Sequence, residues 1–180
     1  MRRKSFRTPK KITLWRNHLE GEIVDWAEVF ASYDSQVDWP GAMVWDQTFA
    51  AFPEARVIHT ERPEEGWWAS FSRTVGKQLR LMPSSPAPEK IKGLGEVFTR
   101  LLNQNYGDFT EKTKMIAAFH ANNEKVRDTI PAQQLLVFDM GKGWAPLCAF
   151  LGVSEPKTPF PHLFKRHEFW EMFGGEPVEA

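Results

Sequence analysis

Residues 54–71, EARVIHTERPEEGWWASF, constrain the fold more than any other stretch of the chain. Val57 and Ile58 form an apolar, β-branched run that is typical of a strand in a parallel sheet. Pro63 suits the first turn of a helix, because its missing N–H would be unpaired there anyway. The two glutamates that follow suit the positive end of a helix dipole. The segment therefore predicts a strand that runs directly into a helix, with Arg62 at the carboxyl end of the strand.

An arginine at this position indicates an anion-binding site. Ligands of open α/β sheets bind beyond the carboxyl ends of the strands. The hydroxyl of Ser70 follows eight residues after Arg62, and a guanidinium fork together with a hydroxyl is suited to hold a phosphate. The alternative is that Arg62 pairs with Glu61, Glu64 or Glu65 and that Ser70 faces solvent.

The rest of the chain alternates between helical and strand patterns, as in α/β domains with a parallel sheet. A second strand is predicted over residues 134–139. Residues 83–95 are rich in Pro, Ser and Gly and predict a mobile loop or lid. Apolar spacing and flanking Gly and Pro residues predict helices over residues 11–20, 25–33, 42–52, 64–82, 94–104, 110–128 and 143–151.

Length, charge and cysteine usage narrow the class of protein. The chain of 180 residues suits one domain with a real core, which we predict over residues 11–180 behind a basic flexible arm at residues 1–10. The 23 basic and 23 acidic side chains cancel, so no global charge attracts nucleic acid or an anionic membrane. Cys148 is the one cysteine, which favours a cytoplasmic protein. No stretch reaches the ~20 apolar residues that span a bilayer.

The segment around Arg62 resembles the 3′-phosphate-binding element of sulfotransferases. In that element a strand ends near an Arg-Asp-Pro-like turn, and a serine follows at the spacing seen here. The resemblance covers nearly the whole chain from residue 8 onward. Other stretches also resemble the family and follow one another in the same order as in its members. They are WRNHLEGE at 15–22, VDWPG at 37–41, LLVFD at 135–139, GWAPLCAFLGV at 143–153 and PFPH at 159–162.

The resemblance implies a P-loop NTPase-like sulfotransferase fold, a parallel sheet with helices on both faces. It also implies transfer of a sulfuryl group from 3′-phosphoadenosine 5′-phosphosulfate to a hydroxyl or amine of a small-molecule acceptor, without a metal. Arg62 and Ser70 would hold the 3′-phosphate of this donor. The chain departs from the family in one respect, because Pro63 directly follows Arg62 where an Asp usually stands between them.

Asp38 is the first candidate for the catalytic base that takes the acceptor's proton. By the resemblance, it lies where the better-known cytosolic sulfotransferases carry a catalytic histidine in a Thr-His-Leu-Pro-like turn. A carboxylate can serve as the base if burial raises its pKa toward neutrality. The alternative is that Asp38 fixes the turn before Trp39-Pro40 by bonding its own backbone.

His120 is the main alternative base, and it stands close to Asn122-Asn123, where the family usually has His-Asn. His59 and His162 are further alternatives. His59 lies inside the predicted strand, which favours a packed imidazole, and His162 matches the family tail, which favours a structural role.

One family element is missing from the sequence. Members open with a strand, a Gly-rich loop and a helix that cradle the 5′-phosphosulfate, and we find no such loop among the twelve scattered glycines. We expect the sheet either to close across the gap or to leave a chain that aggregates, oligomerises or folds in part. Three hypotheses stay open: an enzyme whose full product begins upstream, a degenerate protein that binds without transferring, and a binding module on the same scaffold.

Overall fold

The computed structural model describes residues 9–86, 88–161 and 165–177 of the chain. Most of the predicted basic arm lies outside the described residues, and so does His162. The first helix, α1 (Pro9–Leu19), includes the last two positions of that arm.

Two parallel strands, β1 (Val57–Thr60) and β2 (Leu135–Phe138), form the sheet of the described residues. Val57 lies opposite Leu135 and Thr60 lies opposite Phe138, so the strands pair along their whole length. Because parallel neighbours need a crossover connection, the chain between them is helical. The predicted α/β class with parallel strands is confirmed, and the two strands pair directly with each other.

The described residues also form α-helices and short 3₁₀ turns, most of them within the stretches where the sequence predicts helices. Short 3₁₀ turns occupy residues Gly41–Val44, Met82–Ser84, Ala132–Gln134 and Met140–Lys142. After α1, the α-helices are α2 (Trp26–Phe30), α3 (Trp45–Ala51), α4 (Glu64–Arg73), α5 (Val75–Leu81), α6 (Glu89–Tyr106), α7 (Lys112–Thr129), α8 (Trp144–Leu151) and α9 (Arg166–Glu171).

The single helix predicted over residues 64–82 is wrong, because Thr74 divides it into α4 and α5. Thr74 has φ −127° and ψ −98°, and its hydroxyl donates to the carbonyl of Ser70 at 2.6 Å. Hydroxyl side chains that bond the preceding turn compete with helical backbone pairing. The indole of Trp170, from α9, donates to the carbonyl of Arg73 at 3.1 Å. A tertiary contact thus satisfies a backbone group at the break.

The loop predicted over residues 83–95 is too long, because α6 already begins at Glu89. Gly95 lies inside this helix and is buried. A Cβ atom at Gly95 would lie 2.8 Å from Cγ of Met82, so close packing explains the glycine better than a loop does. The glycines of this stretch were therefore misleading as loop signals.

Two apolar clusters form the core, and α6 joins them. Val97 and Leu101 of α6 pack with Trp15, Trp26 and other residues of the first cluster. Leu102, the next residue of α6, belongs to the second cluster with Leu79, Phe109 and Met115. Cys148 is a buried free thiol in α8.

No helix within the described ranges combines the length and the apolar character that crossing a membrane requires.

Candidate functional site

The carboxyl end of β1 and the start of α4 form the site that the sequence singles out. The N–H of Glu61 donates to the carbonyl of Phe138 at 3.1 Å, which extends the pairing of β1 with β2 by one residue. Pro63 then precedes α4, and no side chain caps this helix. The first backbone bond of α4 runs from the N–H of Trp67 to the carbonyl of Pro63 at 3.0 Å. The N–H groups of the first turn therefore lack intrahelical acceptors.

All three glutamates around Arg62 pair with α7 instead of with Arg62. Glu61 binds Arg127 at 2.5 Å, and Glu65 binds Lys112 at 2.8 Å. The carboxylate of Glu64 contacts Nε2 of His120. In the structure, therefore, these glutamates do not neutralise Arg62.

Arg62 is exposed and makes no hydrogen bond or ion pair with any residue that the structure describes. Partial burial lowers the pKa of its guanidinium from the ordinary value. Arginine nevertheless stays charged at neutral pH, because a guanidinium is not deprotonated in proteins. The site therefore presents an unpaired cation beside the uncapped start of a helix.

Ser70 lies on α4, about one turn before the break at Thr74. It is half-buried, and its hydroxyl has no hydrogen bond within the described ranges. Gly66 precedes it by one helical turn, and a Cβ atom at Gly66 would have no neighbour within 4 Å. Helical spacing places Gly66 and Ser70 on one side of α4, so this side is open next to the start of the helix.

Nε2 of His120 contacts the carboxylate of Glu64, which follows Arg62 by two residues in the chain. The ring is about half exposed, with 52% of the side-chain surface accessible. Phe119 beside it stacks on Trp67 at 4.7 Å between ring centroids, which fixes α7 against α4. A histidine that is held by a carboxylate is an arrangement suited to proton transfer.

Asp38 lies elsewhere, in the loop before the 3₁₀ turn Gly41–Val44. It is exposed, and its Oδ1 accepts from the N–H of Trp39 at 2.7 Å while its carbonyl accepts from the N–H of Ala42 at 3.0 Å. Its φ of +66° is uncommon for a residue other than glycine. Trp39 packs on Phe98 of α6, and no hydrogen bond or ion pair between described residues joins Asp38 to Arg62.

His59 ties α7 to β1. Its Nε2 is 3.0 Å from Oδ1 of Asn123 and 3.4 Å from Oε1 of Glu61. Because both neighbours are acceptors, Nε2 carries the proton. His59 is half-buried, in keeping with the packed imidazole that its strand position predicted.

Sequence analysis missed the α7 residues that complete this site. Asn123 and Arg127 follow His120 at intervals of three and four residues, so all three lie on one side of α7. That spacing was visible in the helix predicted over residues 110–128. Which element this side faces depends on the tertiary fold.

A second unpaired cation follows β2. Lys142 lies in the loop between β2 and α8, is exposed, and makes no hydrogen bond or ion pair with a described residue. Gly143 after it has φ +68°, where a side chain would be strained. Because β1 and β2 are parallel, Lys142 and Arg62 both follow strands that end at the same edge of the sheet.

The described residues include no group of three or more His, Cys, Asp or Glu side chains that could hold a metal ion.

Comparison with known proteins adds two findings. Residues 2–169 match the model of the sulfotransferase domain family. The chain is also 26% identical over 148 residues to "Ava biosynthesis cluster protein M" of Aspergillus versicolor. That alignment covers 77% of this chain and 57% of the relative, so the chain spans little more than half of the relative's length.

Proposed function

We propose a function from one premise: the chain belongs to the sulfotransferase domain family. It binds 3′-phosphoadenosine 5′-phosphosulfate and transfers the sulfuryl group to a hydroxyl or amine of a small acceptor. The observation that carries this proposal is the unpaired guanidinium of Arg62 at the carboxyl end of β1, beside the uncapped start of α4. We assign the parallel sheet to the P-loop NTPase-like sulfotransferase fold on the same premise.

The donor's 3′-phosphate would bind at Arg62. A guanidinium presents two parallel N–H groups that match two phosphate oxygens. The unpaired N–H groups of the first turn of α4 add donors and the positive end of a helix dipole. Glu64 and Glu65 would repel an anion there, but Lys112 neutralises Glu65, and Nε2 of His120 bonds the carboxylate of Glu64. The hydroxyl of Ser70, further along the open side of α4, is the additional donor.

His120 is the stronger candidate for the catalytic base, with Asp38 as the other. With Nε2 facing the carboxylate of Glu64, the other ring nitrogen, Nδ1, can accept a proton. The acceptor oxygen attacks sulfur, the bond from sulfur to the donor's phosphate oxygen breaks, and the acceptor's proton moves to Nδ1. The products are the sulfated acceptor and 3′,5′-phosphoadenosine. The carboxylate of Asp38 already accepts a bond from the N–H of the next residue, Trp39.

A second candidate function is binding of the nucleotide without transfer. Neither described strand leads into a Gly-rich loop that ends in Lys followed by Ser or Thr, because Trp144 follows Gly141-Lys142-Gly143. Such a loop cradles the phosphate next to the transferred group in related nucleotide sites. Without it, transfer would be slow or undetectable, whereas the Arg62 site would still bind the 3′-phosphate.

One pair of measurements separates the two candidates. Calorimetry reports affinity for 3′,5′-phosphoadenosine, and a labelled donor with a panel of phenols and alcohols reports transfer. Binding with turnover supports the enzyme, and binding without turnover supports the second candidate. Absence of both would refute the donor site.

A further inference from the structure

A cavity of about 320 Å³ lies between α3, the last turn of α6 and α7. Small side chains of Ala42, Ala118 and Ala121 line it, and they leave space that larger side chains would fill. Trp45 of α3 and Tyr106 of α6 form its aromatic walls. This volume is at the lower end of the roughly 300–1,000 Å³ that is typical of small-molecule sites. Polar side chains line the cavity beside the apolar ones, namely Asp46, Asn105, Asn122 and Lys125.

The cavity is separate from the site at Arg62. The α7 residues that line it include Ala118, Ala121 and Lys125. The α7 residues that face β1 and α4 are His120, Asn123 and Arg127. At 3.6 residues per turn these two sets lie on different flanks of α7. A ligand in the cavity therefore does not share contacts with a ligand at Arg62.

The charged groups at the cavity neutralise each other. Nζ of Lys125 lies 2.5 Å from Oδ2 of Asp46 and 5.3 Å from the centroid of the Trp45 ring. The indole N–H of Trp45 donates to Oδ1 of Asn122 at 3.0 Å, which orients the amide so that its NH₂ group is the remaining donor. The ion pair leaves little attraction for a strongly charged ligand.

Tyr106 supplies an unused polar group. Its hydroxyl forms no hydrogen bond with any residue in the described ranges. Burial raises the pKa of this phenol, so it stays protonated and can donate. Solvent reaches this hydroxyl, which is not among the buried polar atoms without a partner, so a ligand oxygen can bond it in place of water.

We propose that this cavity binds a planar, uncharged aromatic compound that carries a phenolic hydroxyl. The ring packs against Trp45, where aromatic contact adds to the burial of apolar surface. The ligand's oxygen bonds the hydroxyl of Tyr106 and the side-chain NH₂ of Asn122. This site binds without reacting, and its existence does not depend on sulfuryl transfer.

The test is a titration of the full chain with 2-naphthol, followed by NMR at the indole N–H of Trp45. Decahydro-2-naphthol is the control, because it keeps the hydroxyl and similar size but lacks the aromatic face. We expect saturable shifts of the Trp45 signal with 2-naphthol and about tenfold weaker binding of the saturated alcohol. No saturable shift with 2-naphthol, or equal binding of the two alcohols, would overturn the proposal.

Three variants locate the binding site. Tyr106→Phe removes one hydrogen bond and should weaken 2-naphthol binding by about three- to tenfold. Ala121→Leu fills the cavity from a helical position that tolerates leucine, and it should abolish binding. Tyr33→Phe, which removes the hydroxyl of the other tyrosine, should leave binding unchanged. Retained binding in both Tyr106→Phe and Ala121→Leu, with folding verified by circular dichroism, would exclude this cavity, whereas loss of binding in Arg62→Ala would place the ligand at the other site.

Discussion

The carboxylate of Glu61 binds Arg127 of α7 at 2.5 Å and leaves its sequence neighbour Arg62 without a partner among the described residues. The two pairing residues are 66 positions apart in the chain. Glu64 and Glu65 likewise pair with residues of α7, His120 and Lys112, and not with Arg62. This arrangement keeps a cation available at the carboxyl end of β1, and it underlies the first two predictions.

Replacement of Arg62 should weaken nucleotide binding. We expect Arg62→Ala to lose about 2 kcal/mol or more of binding free energy for 3′,5′-phosphoadenosine, the order of a charge-assisted bidentate contact. Isothermal titration calorimetry measures this loss. Arg100→Ala is the matched control, because Arg100 of α6 forms an exposed pair with Glu20. This variant should bind the nucleotide as tightly as the wild type does. Equal affinities for Arg62→Ala and the wild type would exclude Arg62 from the site.

Removal of Arg127 should weaken the same binding indirectly. In Arg127→Ala, the carboxylate of Glu61 loses its partner and can turn to Arg62, which would then compete with the phosphate. The double variant Arg127→Ala with Glu61→Gln should recover most of the affinity, because the competing charge is gone. A double-mutant cycle read by calorimetry measures this coupling. Additive effects in the cycle would contradict it.

The identity of the base can be tested by a direct comparison of two variants. If the chain turns over, His120→Gln should lower the rate of transfer by about 10²-fold or more, as removal of a general base commonly does. Asp38→Asn should have a smaller effect, because its Oδ1 is engaged with the N–H of Trp39. The opposite ranking, measured with labelled donor, would assign the base to Asp38.

The C-terminal segment should contribute stability that depends on pH. Hydrogen bonds from Arg166 and Lys77 lower the pKa of the Glu176 carboxyl from its ordinary value. A depressed folded-state pKa stabilises the fold above the unfolded pKa, and this contribution disappears as the pH falls through the folded pKa. The difference in Tm between the wild type and Glu176→Gln should therefore be largest near neutral pH and vanish in acid. A difference that persists or grows in acid would contradict this linkage.

Trp170 should be important for the stability of the whole domain. It is 2% exposed, and its indole donates to the carbonyl of Arg73 at the break between α4 and α5. Trp170→Ala should cost about 3–5 kcal/mol of unfolding free energy, as is usual for a buried large aromatic residue. Denaturant unfolding measures this loss. Trp170→Phe is the informative partner variant, because it keeps most of the packing and removes the hydrogen bond, so its loss should be distinctly smaller.

The sequence by itself determined the main elements of the fold. The predicted strands at 56–60 and 134–139 correspond to β1 (Val57–Thr60) and β2 (Leu135–Phe138). The start of α4 after Pro63 was also predicted. These signals are local, because β-branched runs and prolines act on the backbone of their own residues. Arg62 and Ser70 could be nominated for the same reason, from their positions after a strand and on a helix.

Tertiary structure decided which partners the charged and packed residues take. The break at Thr74 is accompanied by a contact from Trp170, and Gly95 lies within a helix because Met82 packs against it. The sequence left open whether Arg62 pairs with its neighbouring glutamates, and it ranked Asp38 above His120. Pairing between charges depends on distance in space, and α7 approaches β1 and α4 only when the chain has folded. The lack of a partner for Arg62 among the described residues and the contact between Glu64 and His120 are therefore properties of the fold and cannot be read from neighbouring residues.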